Sequence, residues 1–421
     1  MAGCGLETFI KEINMKILHF ADLHIRGSHL PEIKKCVDFM VETAISEQPD
    51  LIINSGDTFH SNAVQLDSEA ARYAMDVHKR LADIAPVSVI IGTKSHDGEA
   101  AVAFRHINSK YPIHVTSDAP EQLFLFQGEL FTHDSFHAPG GKPPEPDAII
   151  SAFPAPTKKF FQTDVGILDT EKQIAQGITA IFAGFGVVAK GFACPHILNF
   201  HFNISGAFLG ETQQLTGLDI ECSKDQIAMG QFTVACGGHI HKQQKIGENI
   251  FFAGSTQNNT FGEMDPKGFY IHGTEDYDSA GAAAGSDFIP TPTQSMIKID
   301  DIDWRERINH DDYALRYPPE VFKNSRVRLR IKIFIDEQES MDKARIQKFF
   351  SDLNVEFTPD YILMPRDNVR SQRIQDLDNL ADKIDENAKV LEEEVPEGIR
   401  EIAERLEAGD AEELVREVGA L

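Results

Sequence analysis

From Met15 the chain alternates short apolar runs with stretches of helical periodicity, and each early apolar run gives way to Asp, His or Ser beyond its C-terminal end. Residues 16–20 read as a strand. After Pro31, suited to a first helical turn, Ile33, Val37, Met40, Val41 and Ala44 recur at helical spacing. Residues 51–53 give a second strand, a further helix runs through Arg80, and residues 87–91 give a third strand that ends in glycine. Strand and helix in alternation build an α/β sheet layered with helices, and such sheets hold ligands beyond the C-terminal ends of their strands. Later strands are expected at 196–202, 232–235 and 250–253. Between them the sequence is less legible, with a Pro/Gly-rich loop at 138–146 and a helical stretch at 158–190. Residues 273–293, rich in Gly, Ala, Ser, Pro and Asp, read as a surface loop and a domain edge.

The polar residues at the strand ends form a series. Asp22-Leu23-His24 follows the first strand, and its alternate spacing lets a carboxylate and an imidazole converge on one point. Gly56-Asp57 follows the second, with His60 three residues on. Ser95-His96-Asp97 follows the third, His201 closes a later strand, and Gly238-His239-Ile240-His241 repeats the alternate spacing. A single histidine at a strand end is ordinarily a hydrogen-bonded structural residue, and a lone Gly-Asp is ordinarily a turn. Five such clusters in order, each at a strand end, instead match two divalent ions about 3.5–4 Å apart that share a carboxylate. Adjacent cations suit phosphoester hydrolysis: they activate a water and neutralise charge on the phosphoryl oxygens, while a positioned histidine protonates the leaving oxygen. His133-Asp134-Ser135-Phe136-His137 also has ligand spacing, but its loop setting reads as solvated surface.

At 421 residues the chain exceeds the roughly 250–300 that one hydrophobic core serves, so a large domain with smaller appended units is expected. Its formal net charge of −26 argues against nonspecific attraction to nucleic acid or an anionic membrane. The tail 376–421 holds 16 acidic and 5 basic residues and reads as a separate unit. Five scattered cysteines without a Cys-x-x-Cys pair fit a reducing cytoplasm. The longest apolar run, 178–189, falls short of the roughly 20 residues a membrane span needs. Residues 1–14 lack the features of a secretion signal and read as an extension.

On these motifs the sequence resembles the calcineurin-like metallophosphoesterase superfamily and, within it, the SbcD-type nucleases of double-strand-break repair. The superfamily pattern is Asp-x-His, Gly-Asp, Gly-Asn-His-Asp, His, Gly-His-x-His. The nuclease resemblance rests on ILHFADLH, on GDTFH and on the long stretch GHIHKQQKIGENIFFAGSTQNNTFGEMDPKGFYIH that starts at Gly238, and it covers Met15 to about Pro365. It implies an α/β fold: a metallophosphoesterase β-sandwich flanked by helices over 15–300, a small α+β capping domain over 301–365 that shapes DNA access, and a helical acidic tail over 366–421. It also implies two divalent ions, manganese foremost. Asp22, His24, Asp57 and His241 would hold the first and Asp57, His201 and His239 the second, with His60 and His96 acting on the scissile phosphate or leaving group. One departure matters: in place of Gly-Asn-His-Asp stands Gly92-Thr93-Lys94-Ser95-His96-Asp97, with two extra residues. Ser95 is expected either to shift inward as a weaker oxygen donor or to leave the position to water.

The implied activity is 3′-to-5′ exonuclease and single-strand endonuclease cleavage of DNA. The implied assembly is a homodimer with an SbcC-type ABC ATPase, whose coiled-coil base binds the C-terminal helices; this chain shows no P-loop, so ATP hydrolysis falls to the partner. Alternatives are another dimetal phosphatase or phosphodiesterase, and a scaffold subunit weakened at Ser95. Beyond residue 300, strands are expected at 327–335 and 356–363 and a helix at 340–353. Arg326, Arg328, Arg330 and Lys332 alternate with Val327, Leu329, Ile331 and Ile333, a basic stripe that reads either as a phosphate track for DNA or as an edge strand guarded by charge. In the tail, Leu377, Leu380, Ala381 and Ile384 form one apolar stripe and Ile399, Ile402, Ala403 and Leu406 another, too short for a core and suited to docking on a partner.

Overall fold

The computed structural model describes residues 15–136, 143–156, 167–210, 213, 220–274, 285–303, 322–323, 325–352, 355–365, 374, 376–391, 394–396 and 398–409. The expected N-terminal extension lies outside them. β1 (Lys16–Phe20), β2 (Leu51–Asn54), β3 (Val87–Ile90) and β4 (Ile113–Thr116) lie parallel, side by side. α1 (Leu30–Glu47) links β1 to β2 and α2 (Glu69–Ala82) links β2 to β3. Pro31 sits in the first turn of α1, where a missing N–H costs nothing, and Ile33, Val37, Met40, Val41 and Ala44 are the face it buries. Ser68 caps α2 by accepting from the Ala71 N–H at 3.1 Å. Both helices pack on Leu18, Phe20, Ile52, Val87 and Val89, the outer face of this sheet.

The chain then builds a second sheet. β5 (Glu121–Phe126) pairs antiparallel with β6 (Glu129–Thr132) and with β7 (Ala148–Phe153), and β7 runs parallel to β8 (His196–His201). β9 (Asn203–Ile204) and β10 (Glu221–Cys222) form a short ladder of their own. β11 (Val234–Gly238) lies parallel to β8; β12 (Gln244–Ile246) edges the sheet against β13 (Ile250–Phe252), which is parallel to β11. β14 (Gly268–Gly273) and β15 (Ser286–Pro290) return to the first sheet. The orders are β15-β14-β1-β2-β3-β4 and β12-β13-β11-β8-β7-β5-β6. Ile17, Ala21, Leu51 and Ile53 of the first sheet close one apolar layer with Leu123, Ile150, Ile197, Val234 and Phe251 of the second. Helix Ile167–Ala189 covers the second sheet's outer face through Ile178 and Phe182. The expected β-sandwich flanked by helices is the fold.

Two local expectations are corrected. The segment 273–293 is not simply a loop: β15 pairs antiparallel with β14, setting Ile289 opposite Phe269 and Phe288 opposite Tyr270, and these cross-strand apolar contacts override the flanking small residues. His133–Phe136 is a helical turn rather than a loop, anchored by Phe136 stacked on Phe124, while His133 and Asp134 stay in solvent; His137 lies outside the described residues.

Packing divides the chain into Met1–Ile299 with Ile308–Leu329 and Ile346–Thr358, and Asp300–Arg307 with Arg330–Arg345 and Pro359–Leu421. β16 (Met296–Asp303), β17 (Arg326–Phe334) and β18 (Glu356–Met364) form a three-stranded sheet in that order. Along β17 the alternation holds: Val327, Leu329, Ile331 and Ile333 are buried and the basic residues between them half-exposed. Helix Lys343–Asp352 buries Ile346 and Phe350. In the tail, helices Leu380–Leu391 and Ile399–Glu407 bury Ala381 and Ala403 but leave Leu380, Ile399, Ile402 and Leu406 exposed. Among the described residues no helix is long and apolar enough to cross a membrane.

Candidate metal centre

β1 and β2 keep pairing beyond their ends. Ser55 N–H donates to Phe20 O at 2.9 Å, Asp22 N–H to Gly56 O at 3.0 Å and His24 N–H to Asp57 O at 3.1 Å. Two strand exits are thereby zipped together, and Asp22, His24 and Asp57 share one surface. Asp22, His24, Asp57 and His239 all adopt positive φ, at 52°, 43°, 52° and 81°. Side chains rarely take this conformation, and holding one there costs roughly 1–3 kcal/mol. Gly56, at φ 90°, is required outright: a Cβ would lie 2.7 Å from His201 Nδ1 and 2.8 Å from the Gly92 Cα.

The second sheet supplies imidazoles to the same place. His201, the last residue of β8, donates from Nδ1 to Ser55 O at 2.6 Å and presents Nε2 to Asp57 Oδ2 at 3.3 Å. His239 follows β11; its N–H donates to Asp22 Oδ1 at 3.1 Å and its ring lies 5.3 Å from that of His201. His241 Nε2 lies 2.9 Å from His24 Nε2. Donor atoms of Asp22, Asp57 and His201 lie within 4.8 Å of one another, as do those of Asp22, His24 and His241 and those of His24, His60 and His96. His60 Nδ1 accepts from Arg26 Nη1 at 3.2 Å, which puts its proton on Nε2, and His96 donates from Nδ1 to His60 O at 2.7 Å.

The electrostatics suit cations. Burial, reinforced by Asp57, raises Asp22 to about 8, although the neighbouring His201 opposes the rise. Burial alone would raise Asp57 and lower His201, but their mutual attraction wins, holding Asp57 well below the carboxylate range and lifting His201 to about 9. Burial, together with the facing His241, holds His24 far below the usual imidazole value, and burial lowers His241 to about 4, so both keep their lone pairs at neutral pH. Asp22 Oδ2 and His24 Nδ1 are buried without a hydrogen-bond partner. Hard carboxylate oxygens beside imidazoles, those of His24 and His241 already neutral, are a donor set for divalent transition ions, so these residues fit the metals the motifs imply.

At the Ser95 departure the structure does not show the inward shift. Ser95 is exposed, and the hydroxyl beside the carboxylate belongs to Thr93. Thr93 N–H donates to Asp57 Oδ1 at 2.6 Å and its Oγ1 to Asp57 Oδ2 at 3.3 Å, with His201 Nε2 3.3 Å away. Gly92 is the anchor, packed so closely that a Cβ would collide with the Asp57 carboxylate. Counting forward from Gly92, rather than back from His96, puts Thr93 where the family has asparagine and lets Lys94-Ser95 bulge outward. Asn62 fastens that bulge through Ser95 O at 2.9 Å and Lys94 O at 2.7 Å. Buried Asp97 closes the loop by accepting from Gly92 N–H at 3.0 Å and Phe59 N–H at 3.1 Å.

Gln213 carried no sequence signal, yet it clamps the Gly-His-x-His turn, donating to His239 O at 2.6 Å and accepting from the His241 N–H at 3.0 Å. In the basic stripe, Arg326 pairs with Glu356 at 3.0 Å and contacts His29 Nε2 at 3.1 Å, while Arg330 lies 3.5 Å from Asp300 and 3.7 Å from Asp360. These two charges are partly neutralised within the protein.

A two-sheet sandwich whose strand ends bring carboxylates and imidazoles to one seam is the architecture of a metal-dependent phosphoester hydrolase. Residues 15–243, more than half of the chain, match the family model of the calcineurin-like phosphoesterases, and the chain belongs to that family. No curated protein matches it. The protein is therefore a hydrolase of phosphoester bonds that works with divalent metal.

Proposed function

We propose that the protein is a DNA nuclease of the double-strand-break-repair type, an SbcD-like subunit that cleaves phosphodiesters as a 3′-to-5′ exonuclease and single-strand endonuclease. The observation that carries this reading is the use of the long stretch after His241. Gln257 donates to Leu23 O at 2.7 Å, Asn259 takes Arg26 through its Oδ1 at 3.3 Å and its O at 3.2 Å, and Lys267 donates to His241 O at 3.1 Å. Lys267 is in turn paired with Glu263 at 2.8 Å, both buried. The segment with the nuclease-like sequence thus braces the loops that carry the centre, a role a minimal phosphatase core does not need.

In this reading Asp22, His24, Asp57 and His241 hold one ion, and Asp57, His201 and His239 hold the other, with Thr93 in place of Ser95 as the neutral oxygen. When bound, a pair of divalent ions, manganese in our reading, supplies the Lewis acidity that activates water and neutralises the phosphoryl oxygens. His60, held as the Nε2–H tautomer by Arg26, donates a hydrogen bond to the phosphate. His96, oriented through Nδ1, carries the proton to the leaving oxygen. Arg26 and Arg326, rather than all four cations of the stripe, bring positive charge toward His60 and His29. The exposed apolar residues of the tail helices support docking on an SbcC-type ABC ATPase within a dimeric cytoplasmic assembly.

Purified full-length protein with manganese should degrade labelled duplex and single-stranded DNA. Hydrolysis of bis-p-nitrophenyl phosphate without DNA cleavage would favour a small-substrate phosphodiesterase, the second reading; activity on neither would leave a scaffold. Deleting 376–421 should abolish ATPase binding and spare cleavage, and unchanged binding would refute the docking role.

A further inference from the structure

Behind the centre, three residues back along β1 and along β11, lies a second group of donors. His19 on β1, His272 on β14 and Cys236 on β11 are fully buried. One donor atom from each lies within 4.8 Å of the others. β1 and β14 belong to the first sheet and β11 to the second, so the group bridges the layer between them, among Ile17, Ala21, Phe251 and Tyr270. Imidazoles in an apolar layer call for a reason, because a buried polar group must be satisfied.

His19 Nδ1 and His272 Nε2 face one another at 3.2 Å. Two nitrogens on a tetrahedral zinc ion lie about 3.3 Å apart. His272 Nδ1 bonds Ser286 Oγ at 2.8 Å, the outer partner that fixes a metal-binding tautomer with its lone pair on Nε2. Burial lowers His272 to about 3 and His19 well below the usual value, so both are neutral donors at neutral pH. Burial also raises the Cys236 thiol, which would ionise only against a cation. A hydrogen bond between the rings accounts for the two facing nitrogens but leaves the thiol without a role.

We propose that His19, Cys236 and His272 form a structural site for a thiophilic ion, zinc, that staples the first sheet to the second directly behind the catalytic centre. With sulfur and no carboxylate, this donor set is softer than the one at the strand ends and selects against manganese. Three protein donors leave the fourth position of a tetrahedral ion to a small ligand.

Cobalt distinguishes the two sites, because Cys236 is the one sulfur in any donor group among the described residues. Full-length protein expressed in cobalt-supplemented minimal medium, so that the ion is present while the chain folds, should show a near-ultraviolet thiolate-to-cobalt band. Cys236→Ser should lose that band and one equivalent of bound zinc while keeping the native circular dichroism spectrum. His272→Gln should weaken the band, and Asp57→Asn should keep it. Folded wild-type protein without the band, or Cys236→Ser with undiminished band or zinc content, overturns the proposal.

Discussion

The two sheets contribute to the proposed centre in different currencies. The first delivers every carboxylate, Asp22 and Asp57 from the exits of β1 and β2, with the Thr93 hydroxyl beyond β3; the second delivers His201, His239 and His241 from the exits of β8 and β11. Oxygen comes from one side of the seam and nitrogen largely from the other. Asp57 is held from both sides, by Thr93 of its own sheet and by His201 of the opposite one, and Asp22 accepts across the seam from the His239 N–H. A centre divided this way depends on the seam: shifting one sheet by a single residue along its strands, about 3.3 Å, would carry its ligands out of reach.

The division predicts unequal losses. Asp57→Asn removes the shared carboxylate and should abolish measurable hydrolysis, a drop of roughly 10³-fold or more, together with both equivalents of metal. His241→Asn removes a nitrogen from the His24 side alone. It should cost one metal equivalent, read by elemental analysis, and leave the ion between Asp57 and His201. If His241→Asn empties both positions, the two sides are not separable and the comparison fails.

The same division explains what was legible in the sequence. In the first sheet each strand, turn and helix is a local parallel unit, so Ile33 to Ala44 and the exits at Asp22 and Asp57 announce themselves by periodicity and position. In the second, β5, β6 and β7 were hidden because neither the turn at Gln127-Gly128 nor the run Ala148–Phe153 carries period-two alternation; β7 is buried on both faces throughout. β14 pairs with β1 across more than 250 residues of chain and brings β15 to the sheet's edge, a contact no local pattern encodes. Thr93 is not legible because a two-residue insertion can be counted from either end of the motif, and the packing of Gly92 against Asp57 is visible only in three dimensions. His19 lies inside an apolar strand and Cys236 just past the end of another, and no local spacing links either to His272.

Acid should act on both sheets, though unequally. His78, from α2 over the first sheet, and His196, on β8, are buried and lowered to about 4. The unfolded chain takes up these protons near 6.5 and the folded chain only near 4, so the stability of the neutral forms is complete above 6.5 and is lost as pH falls toward 4. Each group contributes a slope of up to about 1.4 kcal/mol per pH unit in that window, measurable by denaturant titration. Asn54 Nδ2 donates to His78 Nε2 at 3.0 Å, and Asn54 Oδ1 accepts from the Gly56 N–H at 3.0 Å. Protonating His78 therefore disturbs the turn that carries Asp57, whereas His196 Nε2 contacts Ser151 Oγ of β7 at 2.8 Å, which holds no residue of the centre. His78→Gln should flatten the acid slope and lower activity, and His196→Gln should flatten the slope alone. Equal effects on activity would erase the distinction between the sheets.

The smallest effect tests the finest assignment. Thr93→Val keeps the shape of the side chain and the N–H that donates to Asp57 but removes the hydroxyl near Asp57 Oδ2 and His201 Nε2. A neutral oxygen lost from a site with several stronger donors should raise the manganese concentration for half-maximal activity about tenfold, with little change at saturation. Ser95→Ala, on the exposed bulge, should leave the same titration unmoved. The reverse outcome, with Ser95→Ala costly and Thr93→Val silent, would mean that the loop turns inward when metal binds. The insertion would then be a moving part of the centre, and Gly92 would not be its anchor.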